Sequence, residues 1–395
     1  MNLKIFTENV DYEAINQIYT LAKQPAFQDC KIRIMPDVHT GKGCVIGFTA
    51  DLGDKVIPNI VGVDIGCGMF TIKLGKIDID FEKLDNIIRQ KVPSGKNVHD
   101  VRQIRFDELQ QLKCYRKLKN SKRLERSIGT LGGGNHFIEV DTDTDGCKYL
   151  IIHSGSRNLG KQVAEYYQNL AIELMQGKDK LYEMQEKLIE DYKKQGRKTE
   201  IQKAIKELHQ KFNQNPLNIP EELCYLTGKY RENYLHDMEI CQQFAVLNRN
   251  TIANIIIDAM AWRSLDRFET IHNYIDIKSN IVRKGAISAN DGEMLLIPIN
   301  MRDGCIIGRG KGNDDWNCSA PHGAGRLMSR NKAKECISLD EFEKSMQGIY
   351  TISVNLSTID ESPMAYKNID EIISNIGDTV DIIKIIKPVY NYKSC

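Results

Sequence analysis

Apolar residues recur at strand-like spacing in the first part of the chain. The runs 31–39 (KIRIMPDVH), 44–50 (CVIGFTA) and 67–75 (CGMFTIKLG) alternate or stay apolar over strand lengths. A shorter run at 149–152 predicts a buried strand that ends at His153. The first 160 residues or so therefore mix short β-like runs with glycine-rich turns.

The spacing becomes helical between about 161 and 250. Segments 163–176 and 181–195 carry apolar residues three and four positions apart, with lysine and glutamate between them. The Gly-Arg pair at 196–197 predicts a turn between two long helices, and the Asn215-Pro216 step is expected to interrupt the second.

A third helix is predicted from about Glu232 to Ala259, and strand-like runs return at 294–300 and 350–357. The chain shows no internal repeat and no linker long enough to separate independent domains. The sequence therefore predicts an α+β fold of mixed sheets and surrounding helices, formed by one domain over 1–395, with a helical insertion at about 161–248.

Composition and charge narrow the functional class. Of the 395 residues, 41% are hydrophobic and 27% are charged, which is typical of a globular protein and excludes a disordered or low-complexity scaffold. No apolar run is long enough for a membrane span, and the N-terminal residues lack a secretory signal, so we expect a cytoplasmic protein. The net charge of +1 excludes a nonspecific nucleic-acid coat, so any nucleic acid must meet a local patch.

The histidines are the most informative polar residues. Five of the eight lie beside glycines or polar turn residues. These five are His39, His136, His153, His272 and His322. A single histidine at a strand end is more often a hydrogen-bonded structural residue than a metal ligand. Several of them together with a carboxylate and a thiol are typical of a transition-metal site.

The carboxylate and the thiol occur together in VGVDIGCGM. Asp64 and Cys67 are three residues apart in a turn that contains three glycines, which lets the backbone fold tightly enough for both side chains to reach one ion. The alternative is a glycine-rich turn with a buried cysteine. A thiolate can bridge two metals, and two metals can stabilise both oxygens of a phosphoryl transfer.

With these motifs assembled, the sequence resembles the RtcB family of RNA ligases. The motifs follow the order of that family and extend from about residue 35 to Lys393. The most specific of them are PDVHTGKG at 36–43, VGVDIGCG at 61–68, GNHFIEV at 134–140, HSGSRNLG at 153–160 and HGAGR at 322–326.

The resemblance implies a ligase that depends on GTP and on two Mn²⁺ ions. It would join an RNA 3′-phosphate or 2′,3′-cyclic phosphate to a 5′-hydroxyl. Asp64 and His136 match the ligands of one manganese ion, His153 and His272 match those of the other, and Cys67 matches the thiolate that they share. The implied partners are RNA ends and an archease-like activator, with no membrane partner.

The resemblance also assigns nucleotide and RNA contacts. His322 matches the catalytic histidine that takes up GMP through a phosphoramidate. The positions that match the nucleotide pocket are Asn135, Glu139, Asn273, Pro298, Met301, Cys305, Gly323, Ala324, Gly325 and Lys393. The candidates for RNA-phosphate contacts are Arg157, Lys284 and Arg326, with Asp37 as a helper near the reacting ends.

The chain departs from the family pattern in the nucleotide pocket. The segment 298–302 reads PINMR in place of a PGSMG-like sequence, and Cys305 stands where the family has a serine. These changes affect the expected nucleotide and RNA preference more than metal binding, and they would suit RNA repair rather than tRNA splicing.

Two other functions compete with the ligase. A dinuclear metal phosphoesterase that opens cyclic phosphates would need the metal ligands but not His322. A non-catalytic binder of RNA ends would need neither set of residues for turnover. The sequence argues against the binder because every metal position and His322 are intact.

Overall fold

A computed structural model describes residues 2–212 and 216–394 and confirms the predicted α+β class. Its helices are α1 (Tyr12–Ala22), α2 (Phe81–Lys91), α3 (Ser121–Glu125), α4 (Arg157–Met175), α5 (Lys178–Lys194), α6 (Ile201–Lys211), α7 (Gly228–Met260), α8 (Arg330–Cys336), α9 (Leu339–Ser345) and α10 (Ile369–Ile376). Among the described residues, none of these helices is both long and apolar enough to cross a bilayer.

The strands follow the chain in sixteen described segments. They are β1 (Asn2–Ile5), β2 (Lys31–His39), β3 (Ile46–Asp51), β4 (Lys55–Val56), β5 (Gly68–Gly75), β6 (Phe137–Thr142), β7 (Lys148–Ser154), β8 (Leu226–Thr227), β9 (Asp266–Ile271), β10 (Asn273–Asp276), β11 (Ile281–Lys284), β12 (Ala286–Ser288), β13 (Met294–Asn300), β14 (Gly304–Gly310), β15 (Ser319–Pro321) and β16 (Val380–Lys393).

Two larger sheets organise these strands. One has the order β1-β2-β3-β11-β10, and the other has the order β13-β14-β16-β6-β7-β5-β9. In the seven-stranded sheet, His153 of β7 lies opposite both Met69 of β5 and Phe137 of β6. Gly68 lies opposite Ile271 of β9. This register brings the residues that flank these positions to the same ends of the neighbouring strands.

The long helix α7 connects the two main parts of the hydrophobic core. Its first half buries Met238 and Phe244 in the core that underlies the five-stranded sheet. Its second half buries Ile252 and Ile256 with α2 on the seven-stranded sheet. Burial of these large apolar side chains is the main stabilising contribution along the helix.

Most of the predicted elements are confirmed. The strand predicted over 31–39 is β2, and those predicted over 67–75, 149–152 and 294–300 correspond to β5, β7 and β13. The strand predicted over 44–50 begins two residues later, at Ile46.

The helical stretch also follows the periodicity. The two periodic segments form α4 and α5, but these two helices are already separated at Gly177. The predicted turn at Gly196, which has a positive φ, lies between α5 and α6, and α6 has only 11 residues. It ends at Lys211, before the predicted interruption; Asn215 lies outside the described residues. The third predicted helix is α7.

The strand predicted over 350–357 is wrong. Tyr350 forms a single bridge to Tyr390, and the following residues form turns. The hydroxyl of Thr358 donates to the carbonyl of Ser353, and the side chain of Asn355 accepts from the backbone N–H of Ser357 at 2.9 Å. Such local side-chain bonds compete with strand pairing, which the alternating apolar pattern could not reveal.

Candidate metal centre and adjoining cavity

The predicted metal ligands meet at the aligned ends of β5, β6 and β7. The Sγ atom of Cys67 lies 3.4 Å from His136 Nε2 and 3.3 Å from His153 Nε2. Asp64 Oδ2 lies 2.9 Å from His136 Nε2, and His272 Nε2 lies 3.1 Å from His153 Nε2. The five side chains form one continuous cluster, with the thiol between two imidazoles.

Backbone carbonyls orient the two central imidazoles. Nδ1 of His136 lies 2.9 Å from the carbonyl oxygen of Leu131, and Nδ1 of His153 lies 3.2 Å from that of Asn135. Because a carbonyl only accepts, Nδ1 of each ring carries a proton, and the two Nε2 atoms face Cys67. Imidazole lone pairs beside a thiol and a carboxylate fit a divalent transition metal.

Burial sets the protonation of this cluster. It holds the pKa values of His153 and His272 well below the ordinary value, and the neighbouring histidines strengthen the effect. Burial, together with the nearby Asp64 carboxylate, raises the pKa of the Cys67 thiol well above its ordinary value. Neutral imidazoles can bind a cation without losing a proton, whereas the thiol needs a metal ion to stabilise its thiolate.

Close backbone approaches hold the ligand-bearing turns in place. Gly66 has a φ of +72°, and a Cβ there would lie 2.9 Å from the backbone of Gln242 in α7. A Cβ on Gly155 would lie 2.1 Å from Asp64 Oδ1. Larger residues at these two glycines would therefore displace α7 or the Asp64 carboxylate.

Two polar residues of α7 brace the centre, and the sequence analysis did not single them out. The buried guanidinium of Arg249 donates to the carbonyls of Gly66 and Ser154 at 2.8 Å each and pairs with Glu269. Asn248 accepts from two backbone N–H groups and donates to the Ser154 hydroxyl at 2.9 Å. Their signal in the sequence was a polar pair within the apolar stripe of a helix.

His322 lies beside the metal cluster and is held by Asp37. Its Nδ1 lies 2.6 Å from Asp37 Oδ2, and its backbone N–H donates to the same oxygen at 3.1 Å. Asp37 is fully buried in β2. Because the carboxylate accepts the Nδ1 proton, Nε2 is the nitrogen that carries the lone pair when the ring is neutral. The ring centroids of His322 and His272 are 4.8 Å apart.

A cavity of about 230 Å³ adjoins these histidines. It brings together most of the residues that the sequence assigned to nucleotide binding. Those that line it are Asn135, Glu139, Asn273, Pro298, Met301, Gly323, Ala324, Gly325 and Lys393, along with His153, His272 and His322. Cys305 does not line the cavity; its thiol lies behind Glu139, at 3.9 Å from Oε1.

Glu361 is a cavity residue that the sequence analysis missed. Its carboxylate lies 2.5 Å from Lys393 Nζ, and it also pairs with Arg330. Although burial opposes ionisation, these two cations hold the pKa of Glu361 at about 2. Glu361 therefore fixes the Lys393 ammonium at the cavity wall. The sequence signal for Glu361 was the acidic segment DES at 360–362, a composition that is equally typical of a turn.

The candidates for RNA-phosphate contacts occupy different positions. Arg326 lines the cavity but pairs with Glu361 at 3.3 Å. Arg157 donates to Thr130 and Gly95 on the Asp64 side of the centre. Lys284 is not among the residues that line the cavity, and its Nζ donates to two backbone carbonyls, at 2.6 and 3.1 Å. Asp37 contacts His322, as described above.

The fold and the site define an α+β protein with a buried candidate metal centre beside a ligand-sized cavity. The chain belongs to the family described as tRNA-splicing ligase RtcB, whose model matches residues 17–394. This match confirms the resemblance found in the motifs.

Several named proteins of this family are similar to the chain over most of its length. The RNA-splicing ligase RtcB of Escherichia coli K12 is 29% identical, over 98% of this chain and 96% of that protein. The tRNA-splicing ligase RtcB of Aeropyrum pernix is 25% identical, over 89% of this chain and 85% of that protein. That of Methanococcus maripaludis is 24% identical, over 97% and 92%.

Proposed function

We propose that this protein is an RNA ligase that joins an RNA 3′-phosphate or 2′,3′-cyclic phosphate to a 5′-hydroxyl. The reaction uses GTP and Mn²⁺ and passes through a guanylylated His322. Family membership and the names of the relatives support RNA ligation. The contact between Asp37 and His322 supports the histidine as the nucleotide carrier.

The contact between Asp37 and His322 is the main support for the proposal, because it explains how a histidine side chain can act as the nucleophile. An imidazole attacks only through a nitrogen that has a free lone pair. Asp37 accepts the Nδ1 proton, so Nε2 is the nucleophilic nitrogen, and the buried carboxylate also stabilises the positive charge that the ring gains during attack. A metal phosphoesterase would not need this arrangement.

The proposed chemistry has three steps. Nε2 of His322 attacks the α-phosphorus of GTP, and the bond to the bridging oxygen breaks to release pyrophosphate. An oxygen of the RNA 3′-phosphate then takes the GMP, breaking the P–N bond. The 5′-hydroxyl finally attacks the activated 3′-phosphorus, loses its proton and releases GMP. A cyclic phosphate is first opened by water.

The residues of the centre and the cavity divide the work. Asp64, Cys67, His136, His153 and His272 would hold Mn²⁺, which neutralises charge on the transferring phosphoryl group. Glu139 and Lys393 line the other end of the cavity and offer an acceptor and a cation to a nucleobase.

Labelling with GTP that carries ³²P in its α-phosphate tests the proposal. Wild type and His322→Ala are incubated with Mn²⁺ and separated on a denaturing gel. We expect an acid-labile, alkali-stable label on wild type alone, because a phosphoramidate hydrolyses in acid. Equal labelling of both proteins would exclude His322 as the carrier. Absence of label from both GTP and ATP would favour the metal phosphoesterase.

A further inference from the structure

A second buried cluster lies behind the cavity wall. Glu139, Asp141 and Cys305 place two carboxyl groups and a thiol within 4.8 Å of one another. Their exposed fractions are 3%, 0% and 1%. Glu139 and Asp141 share a face of β6, opposite Ile151 and Tyr149 of β7, which belong to an apolar cluster that also contains Cys305. Two acidic groups thus lie in apolar surroundings.

Apart from the neighbouring Cys305 thiol, no group among the described residues is placed to donate a hydrogen bond to Asp141. Oε2 of Glu139 accepts from Asn391 Nδ2 at 2.6 Å. Neither oxygen of Asp141 has a partner among residues 2–212 and 216–394, although both are buried. If Glu139 and Asp141 were both ionised, their carboxylates, which lie within 4.8 Å of each other, would repel each other strongly. A proton between them removes the repulsion and gives each carboxyl group a hydrogen-bond partner.

The surrounding groups leave this proton on the pair. Burial and the Glu139 charge raise the pKa of Asp141 well above its ordinary value, and burial also raises the pKa of Glu139. The titratable and charged groups that face the pair are Cys305 from β14, Lys393 from β16, Tyr149 and His153 from β7, and Glu361 beyond Lys393. Lys393 pairs with Glu361, and the hydroxyl of Tyr149 donates to Asp143 instead.

The charge of Glu139 decides which base it can bind. An ionised carboxylate offers two acceptors, which match the N1–H and the amino group of guanine. A protonated carboxyl group offers one donor and one acceptor, which match N1 and the amino group of adenine. The wrong base would leave a buried hydrogen-bonding group of the protein without a partner, so such a site discriminates strongly between the two bases.

We propose that Asp141 is a specificity-determining positioning residue that remains protonated and donates a hydrogen bond to Glu139. Glu139 then faces the cavity as a carboxylate and selects guanine over adenine. This inference rests on the proposed function for the identity of the ligand. It gives Asp141 a role in choosing the nucleotide without touching it.

Binding of GMP and AMP to the full-length, Mn²⁺-loaded protein tests this role. Calorimetry across mildly acidic to mildly alkaline pH gives the ratio of the two dissociation constants. The ratio cancels pH effects on the metal centre and the phosphate, which both nucleotides share. We expect wild type to prefer GMP, and the preference to fall about tenfold per pH unit once Glu139 takes up a proton.

Three variants separate the alternatives. Asp141→Leu keeps the shape but removes the donor, so the midpoint of the profile should rise by about one to two pH units. Asp141→Asn keeps a donor and should retain the wild-type profile. Asp145→Asn, in the exposed turn after β6, is the matched control.

An unchanged profile in Asp141→Leu would overturn the inference. A profile that moves to lower pH in Asp141→Asn would also overturn it, because relief of repulsion would show that Asp141 is ionised. Neither result affects the labelling of His322, so the ligase proposal would stand. If neither nucleotide binds and no label forms, both proposals fall.

Discussion

Replacing Asp37 by asparagine tests how much of the reactivity of His322 comes from one buried carboxylate. The imidazole and the backbone N–H of His322 both donate to Oδ2, so the amide oxygen of an asparagine would occupy that position and preserve the tautomer. What is lost is the negative charge, 2.6 Å from Nδ1 in a fully buried site.

The size of the effect follows from that geometry. A hydrogen bond to a charged group contributes about 1.5–3 kcal/mol, which corresponds to a rate loss of about 10- to 150-fold. A loss of about 10⁴-fold, as in serine-protease triads where asparagine selects the wrong tautomer, is not expected here. The Oδ1 atom of Asp37 accepts no hydrogen bond from the described residues, so replacing it by an amide nitrogen breaks no existing hydrogen bond.

The assay is the initial rate of labelling from α-³²P-GTP, measured with metal content and thermal unfolding. Asp54→Asn is a suitable control, because Asp54 is exposed and, among residues 2–212 and 216–394, forms an ion pair only with its neighbour Lys55. A folded, metal-loaded Asp37→Asn protein that labels at the wild-type rate would refute the reasoning. Loss of metal in parallel with activity would assign the effect to the metal centre instead.

The candidate metal centre, its brace and the partly buried His39 provide further tests. Cys67→Ser should weaken metal binding by more than about 100-fold, because a hydroxyl is a poor bridging ligand; unchanged metal content by mass spectrometry would contradict the shared thiolate. Arg249→Met should lower the free energy of unfolding by about 3 kcal/mol, because it breaks a buried ion pair. This value is at the low end for such a pair, since Asn250 still donates to Glu269. An unchanged free energy of unfolding in a denaturant titration would exclude the stabilising role of Arg249. Burial lowers the pKa of His39 to about 4, so its contribution to stability is present above pH 6.5 and is lost as the pH falls towards 4. Between pH 6.5 and pH 4, the free energy of unfolding of His39→Gln should therefore fall by about 3 kcal/mol less than that of wild type. Equal decreases for both proteins in an acid titration would refute this.

The sequence predicted elements whose burial is regular and missed those that depend on local hydrogen bonds. The strands β2, β5 and β13 and the helix α7 have periodic apolar positions that match their environment. The segment 350–357 has a similar alternation, but Ile352 and Leu356 are 52% and 70% exposed. The spacing of apolar residues alone cannot show whether a segment is paired with other strands or exposed to solvent.

The clustering of the candidate metal ligands could be anticipated because their residue types are chemically distinctive. Asp64 and Cys67 share a turn, and the histidines occur at the ends of strands, where a sheet brings distant segments together. The contact between Asp37 and His322, which are 285 positions apart, could not be read from spacing. The same holds for Lys284, whose basic side chain reads as a phosphate ligand but donates to two backbone carbonyls.

The position of β16 has a consequence for how the chain matures on the ribosome. This strand follows the other described elements in sequence, yet it lies between β14 and β6 in the seven-stranded sheet. Until it emerges, those two strands have unpaired edges that are prone to aggregation. The cavity also lacks Lys393 until then. A growing chain would therefore complete the wall of this cavity only after the other described elements have been synthesised.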